Sequence, residues 1–197
     1  MKFYVLETKN YNMANIIFTW EKEVNPFSCP NCKVNHWGEM SPLSIEIHGN
    51  KLSDYDKMVR ELISKKVVEV IIDNEITGCV FKPVKIVEWT VKKKKQSNIS
   101  FEYYEMIVNG RAGLLKDLNG EVMGELCPYC HHILDYGEDS SRGFMVDEKE
   151  WDGSDIFYLS NLISGFPIVT EKVKNIFELK KIINVKFTAI EDFIFNF

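Results

Sequence analysis

Apolar and polar residues alternate with period two over much of this chain and switch to a helical period in a few places. The pattern therefore predicts strands first and helices second. Residues 2–8 and Ile16–Trp20 predict two apolar strands. Leu43, Ile45 and Ile47 alternate with Ser44 and Glu46, the signature of a strand with one face buried. Ser53 followed by Asp56 resembles a capping box, and Tyr55, Met58, Val59, Leu62 and Ile63 recur at helical spacing. Together they predict a helix over roughly 53–64. Val67–Ile72, Cys79–Trp89 and Ile99–Val108 predict strands, with Lys92-Lys93-Lys94-Lys95 as a solvated hairpin end between the last two. Asn109-Gly110 and Asn119-Gly120 are turn signals. In the last third, Ile156–Leu162 predicts a short helix and Pro167-Ile168-Val169 a brief strand. Thr170 then caps a helix through Val173, Ile176, Phe177 and Lys180, and Val185–Ile190 closes the chain as a strand.

This order of elements predicts an α+β fold, with mixed strands and a few helices in a single compact unit over 1–197. A C-terminal α/β subregion covers about 150–197. At 197 residues, 45% hydrophobic and 13% aromatic, the chain can bury a core. Its longest apolar runs, such as Val67–Ile72 broken by Glu69, are too short to cross a bilayer. Met1–Glu7 lacks the apolar region of a signal peptide, so the expected compartment is the cytoplasm. The net charge of −5 argues against a general nucleic-acid binder. That charge is uneven: Asp135–Asp155 holds eight carboxylates against Arg142 and Lys149, a net −6 in one segment. The segment, rich in Gly and Ser, predicts an exposed loop with a short strand.

The cysteines change the picture most. Four of the five stand as Cys29-Pro30-Asn31-Cys32 and Cys127-Pro128-Tyr129-Cys130. A Cys-x-x-Cys turn places two sulfurs on one side of a tight loop, and two such pairs supply the four thiolates of a tetrahedral zinc site. Each proline after the first cysteine stiffens its turn. The 94 residues between Cys32 and Cys127 exceed the gap within an ordinary zinc ribbon, so the fold itself must assemble the site. The expected zinc module combines about 25–38 with 124–135. Four cysteines leave no position open for water or substrate, which makes the zinc structural. Two other readings compete: a separate metal on each pair, completed by His36 or by His131 or His132, and a thiol-redox role for Cys127, since Cys-Pro-Tyr-Cys is the glutaredoxin motif. In that fold the motif opens an amphipathic helix, whereas here His131–Gly137 soon breaks.

No metalloprotease, nucleophile-elbow or phosphate-loop motif is present. Cys79 lies in an apolar strand and reads as a buried thiol. No catalysis is expected.

The order of features resembles the double-CXXCG motif proteins, a family first recognised as paralogues in myxobacteria, whose members act as immunity proteins beside toxins. The matching residues are Cys29–Cys32, Cys127–Cys130, Trp151, Asp155-Ile156-Phe157, Ile168–Val173 and Val185-Lys186-Phe187, with Thr77–Pro83 echoing the family's central segment. The family's glycine after each pair is replaced by Lys33 and His131; those glycines ease the knuckle turn through positive φ. The resemblance implies a protein that neutralises a cognate toxin by binding and does no chemistry of its own. Many such toxins are nucleases with basic surfaces, which an acidic patch would attract. Asp147, Glu148, Glu150 and Asp152 would supply that patch, with Tyr136 and Trp151 as aromatic anchors. A zinc-ribbon nucleic-acid-binding or regulatory role is the alternative, and Lys92–Lys95 would be its basic face.

Overall fold

A computed structural model of the chain describes residues 1–9, 13–24, 27–36, 39–57, 60–97, 100–135, 143–161 and 166–195; the side chains of 20–24, 36 and 39–42 are outside the description. The strands of the first half are β1 (Phe3–Thr8), β2 (Asn15–Val24), β3 (Phe27–Ser28), β4 (Asn35–His36), β5 (Glu39–His48), β6 (Tyr55–Lys57) and β7 (Glu61–Ser64). Helix α1 (Lys65–Asp73) leads to β8 (Cys79–Val91), β9 (Lys94–Lys95), β10 (Tyr103–Val108) and β11 (Gly110–Ala112). Next come β12 (Glu125–Leu126), β13 (Ile133–Asp135), β14 (Ile156–Leu159) and β15 (Ile168–Thr170). Helix α2 (Glu171–Leu179), β16 (Val185–Ala189) and a 3-10 turn at Ile190–Asp192 complete the chain. The fold is α+β. Among the described residues no helix is long and apolar enough to cross a membrane.

One sheet has the order β11-β14-β15-β1-β16, and a larger one the order β2-β5-β8-β10-β7-β6 with β9 added to β8. Strand β8 holds the larger sheet together, because its first half pairs with β10 and its second half runs parallel to β5. Three apolar clusters result. Leu6, Ile156 and Val169 of the smaller sheet meet Ile63, Met106, α1 and α2 between the two sheets. On the other face Phe3, Val5, Phe157 and Ile168 pack against Leu115, Met123, Ile133, Phe144 and Phe193. Ile16, Ile45, Ile47, Leu62 and Tyr103 fill the curl of the larger sheet.

Among the described residues three elements differ in type from the sequence expectation. Leu62 and Ile63 are both fully buried, in different clusters on opposite faces of β7, so 55–57 and 61–64 form strands and not the expected helix; Met58 and Val59 lie outside the described residues. Ile156 and Phe157 likewise face opposite clusters from β14, where a helix was expected. A strand buried on both faces loses its alternation and mimics a helix in sequence. Conversely, Val67–Ile72 belongs to α1, where Val67, Val70 and Ile71 form one buried stripe and Ile72 is exposed. Burying each such side chain is worth about 1.5–3 kcal/mol, more than the few tenths separating helix from strand propensity. The expected strands β1, β2, β5, β8, β15 and β16 and helix α2 are present, and β10 begins at Tyr103, later than expected.

Buried polar groups between the sheets are paired. Glu61 accepts hydrogen bonds from the hydroxyls of Tyr55 and Tyr158 (3.0 Å for the latter) and an ion pair from Lys57 at 2.9 Å. A carboxylate this buried requires such partners.

Candidate metal centre

The first cysteine pair stands at the tip of a long ribbon. Strands β2 and β5 pair from Asn15↔His48 to Val24↔Glu39, and the chain between them folds into the small β3–β4 hairpin. Within it the Cys29 amide donates to Val34 O and the Lys33 amide to Cys29 O, both at 3.0 Å. The second pair repeats the design on the β12–β13 hairpin, where the Cys127 amide donates to His132 O and the His131 amide to Cys127 O, both at 2.8 Å. Both residues that follow the pairs adopt left-handed backbone, with φ 62° at Lys33 and 59° at His131. Both positions thus have the conformation that favours glycine, and two bulkier residues occupy them under strain. The second hairpin is rooted in the core through Met123, Leu126 and Ile133.

The fold brings the four sulfurs together. All lie within 4.8 Å of one another, with Cys29 Sγ 3.7 Å from Cys127 Sγ and Cys32 Sγ 3.6 Å from Cys130 Sγ. Zinc–thiolate bonds of about 2.3 Å imply a tetrahedron edge of about 3.8 Å, whereas a disulfide requires about 2.05 Å. The four residues form a metal-binding constellation. Cys29 and Cys127 are buried, and Cys32 and Cys130 are partly exposed. Asn31 Nδ2 donates to Cys127 Sγ at 3.5 Å, so a residue of one knuckle orients a sulfur of the other.

No known family's model matches the chain, and no curated protein matches it.

Electrostatics agree with a cation between the sulfurs. The Cys130 and Tyr129 amides that point at Cys127 pull its thiol down to about 5, against the effect of burial. Burial pushes the Cys130 thiol up to about 12. Burial also acts to raise Cys29, but the Cys32 and Asn31 amides outweigh it and lower the thiol, while Cys32 is raised. Four crowded thiols cannot all ionise without a positive charge among them, and a divalent ion removes the conflict. The donor set therefore fits zinc, held by Cys29, Cys32, Cys127 and Cys130. Among the described residues no histidine joins this group of ligand atoms, and the His36 side chain lies outside the description. The glutaredoxin-type reading loses its geometry, because Cys130 leads into a turn and β13 and not a helix.

The described end of the acidic segment, residues 143–155, is more internally engaged than an exposed loop. Lys116 pairs with Asp147 at 2.7 Å and Glu150 at 3.6 Å, and the N-terminal ammonium pairs with Glu148 at 2.6 Å. Asp152 accepts from the Arg111 amide at 2.8 Å and from the Ser154 amide and hydroxyl. Trp151 packs edge-on against Phe3 at 5.2 Å and donates its Nε1–H to Ser154 O, so its ring serves the core. Tyr136 lies outside the described residues. Glu148 and Glu150 remain about half exposed, at 56% and 49%. Cys79 is half-buried where a buried thiol was expected, and its partial burial still pushes the thiol up to about 12.

Proposed function

We propose that this chain is a binding protein stabilised by one structural zinc ion, and that it serves as the immunity partner of a bacterial protein toxin. The observation that carries the first part is the closed set of four sulfurs. A tetrahedral ion held by Cys29, Cys32, Cys127 and Cys130 has no position left for substrate, so the centre supplies shape and not chemistry. The ion would tie the tip of the β2–β5 ribbon, which belongs to the larger sheet, to a hairpin rooted on the far face of the smaller one. The second part is supported by the resemblance of the knuckles and of Asp155-Ile156-Phe157, Ile168–Val173 and Val185–Phe187 to the double-CXXCG immunity proteins. Glu148 and Glu150 offer accessible negative charge to a basic partner.

The test is to look beside the gene for a reading frame with a toxin-like domain and to express that domain with and without the chain. Rescue of growth and a stoichiometric complex on gel filtration are expected. Absence of rescue with soluble, zinc-loaded protein would overturn the immunity reading and leave the binding scaffold.

A further inference from the structure

Strands β8 and β9 concentrate positive charge on an acidic protein. Lys82, Lys85 and Lys92–Lys95 face a single acid, Glu88, between residues 79 and 95, so this stretch has a net charge of +5 in a chain of −5. All six lysines are exposed. Lys92 and Lys93 form the two-residue turn closed by Val91↔Lys94 and Thr90↔Lys95. Both have left-handed backbone, φ 49° and 64°. A turn of this kind ordinarily takes Asn-Gly, so two lysines are held here against their conformational preference.

The turn borders an open pocket of ≈ 480 Å³, lined by His48, Glu88, Thr90, Lys92, Lys93 and Lys95 among others. Its wall is rigid. His48 Nδ1 lies 2.6 Å from Thr90 Oγ1, the Gly49 amide donates to Thr90 O at 2.8 Å, and Trp89 Nε1 donates to Gly49 O at 2.7 Å. Lys95 neutralises Glu88 at 2.6 Å. His48 Nε2 faces Glu46 at 3.5 Å. The ammonium groups of Lys92 and Lys93 are left to define the charge of the pocket.

We propose that this pocket binds a phosphate group. Two separate ammonium groups suit a phosphate, which offers several acceptor oxygens and up to two charges. A carboxylate is better matched by an arginine fork, and no arginine occurs between residues 61 and 110. Lys85, paired across from Ser44 on the face that carries Glu46 and His48, continues the charge along β8 toward a second phosphate. The source is a free phosphorylated compound or the backbone of a nucleic acid. This inference is independent of the toxin reading.

Titration of the zinc-loaded protein with ADP and with a fluorescent twelve-nucleotide single-stranded DNA, at low and rising salt, tests it. Saturable binding is expected, weakened about tenfold in a Lys92→Gln/Lys93→Gln variant, with a salt slope smaller by about 1.4 for two lost phosphate contacts. ADP binding as tightly as the oligonucleotide assigns a free compound, and tighter oligonucleotide binding assigns the polynucleotide. Lys92→Asn/Lys93→Gly separates this role from a structural one: it should raise Tm by relieving the turn and still lose binding. The inference is overturned if neither probe saturates, if Lys180→Gln/Lys181→Gln weakens binding equally, or if a hexaglutamate peptide binds more tightly than either probe.

Discussion

Thr77 and Asp155, 78 positions apart, hold one another reciprocally: the Thr77 amide and hydroxyl donate to Asp155 Oδ2 at 3.1 and 3.3 Å, and the Asp155 amide donates to Thr77 Oγ1 at 3.1 Å. The same carboxylate accepts Thr170 Oγ1 at 3.1 Å and Lys172 Nζ at 2.9 Å. One side chain thus joins the turn after α1, the start of β14 and the start of α2. Three stretches that the family resemblance singled out separately meet at this point.

Burial acts to raise the Asp155 carboxyl, but Lys172, the Thr77 amide and the Thr170 hydroxyl outweigh it and hold it below the ordinary aspartate value. Its stabilising effect is therefore complete above the unfolded pKa of about 3.9 and is lost as pH falls through the lowered folded value. Asp155→Asn should cost about 1.5–3 kcal/mol at pH 7. In urea titrations the gap between variant and wild type should close in acid. A gap independent of pH would place the effect elsewhere than in the charge.

Gly78 approaches the same junction. With φ at +95°, a Cβ there would lie 2.0 Å from Ile156 O, a backbone atom that cannot swing away. Gly78→Ala should lower stability by about 2–3 kcal/mol and Tm by about 4–12 °C. Gly153, at φ +85° with nothing within 4 Å of its Cβ position, isolates the strain from the clash, and its alanine variant should lose less. Equal losses in thermal melts would show that strain alone matters.

The left-handed backbone at His131 makes a prediction of the opposite sign. His131→Gly should relieve about 0.5–1 kcal/mol of strain after allowing for the greater entropy of unfolded glycine. The chelator concentration that removes half the zinc should rise about two- to fivefold. Unchanged or weaker retention would mean that the knuckle stores no such strain.

Zinc analysis should find one ion per chain. Binding to four thiolates is worth about 10–16 kcal/mol in small peptides, comparable with the stability of a whole domain. Cys29→Ser and Cys127→Ser are therefore expected to accumulate as insoluble protein. Chelation of the wild type should remove hydrogen-exchange protection from 27–36 and 125–135 before β1 and β15. If both variants are soluble, folded and metal-free, the ion is not a clamp.

What was legible in the sequence follows from locality. Strands with one buried face, such as β5 with Leu43, Ile45 and Ile47, announce themselves by alternation, and α2 by its helical period; Thr170 stands at its N-cap position, but the hydroxyl donates to Asp155 and not to an α2 amide. The two Cys-x-x-Cys turns are equally local: each fixes its pair of sulfurs through backbone bonds spanning a few residues. The packing of Trp151 on the Phe3 ring was not legible, because sequence shows only an aromatic beside acids.

The sequence by itself determined the four cysteines that can hold a metal, the α+β class and the segments buried on one face, since each depends on spacings within a few residues. Only the tertiary structure decided that β7 and β14 are strands, because burial on two faces erases their alternation, and that α1 is a helix, because its apolar run is too short to show a period. It alone also decided that the two cysteine pairs converge, that Thr77 meets Asp155 and that Lys92 and Lys93 border a pocket. Those relationships join residues far apart in the chain or on different strands, and no local pattern encodes which strand a sheet places beside another.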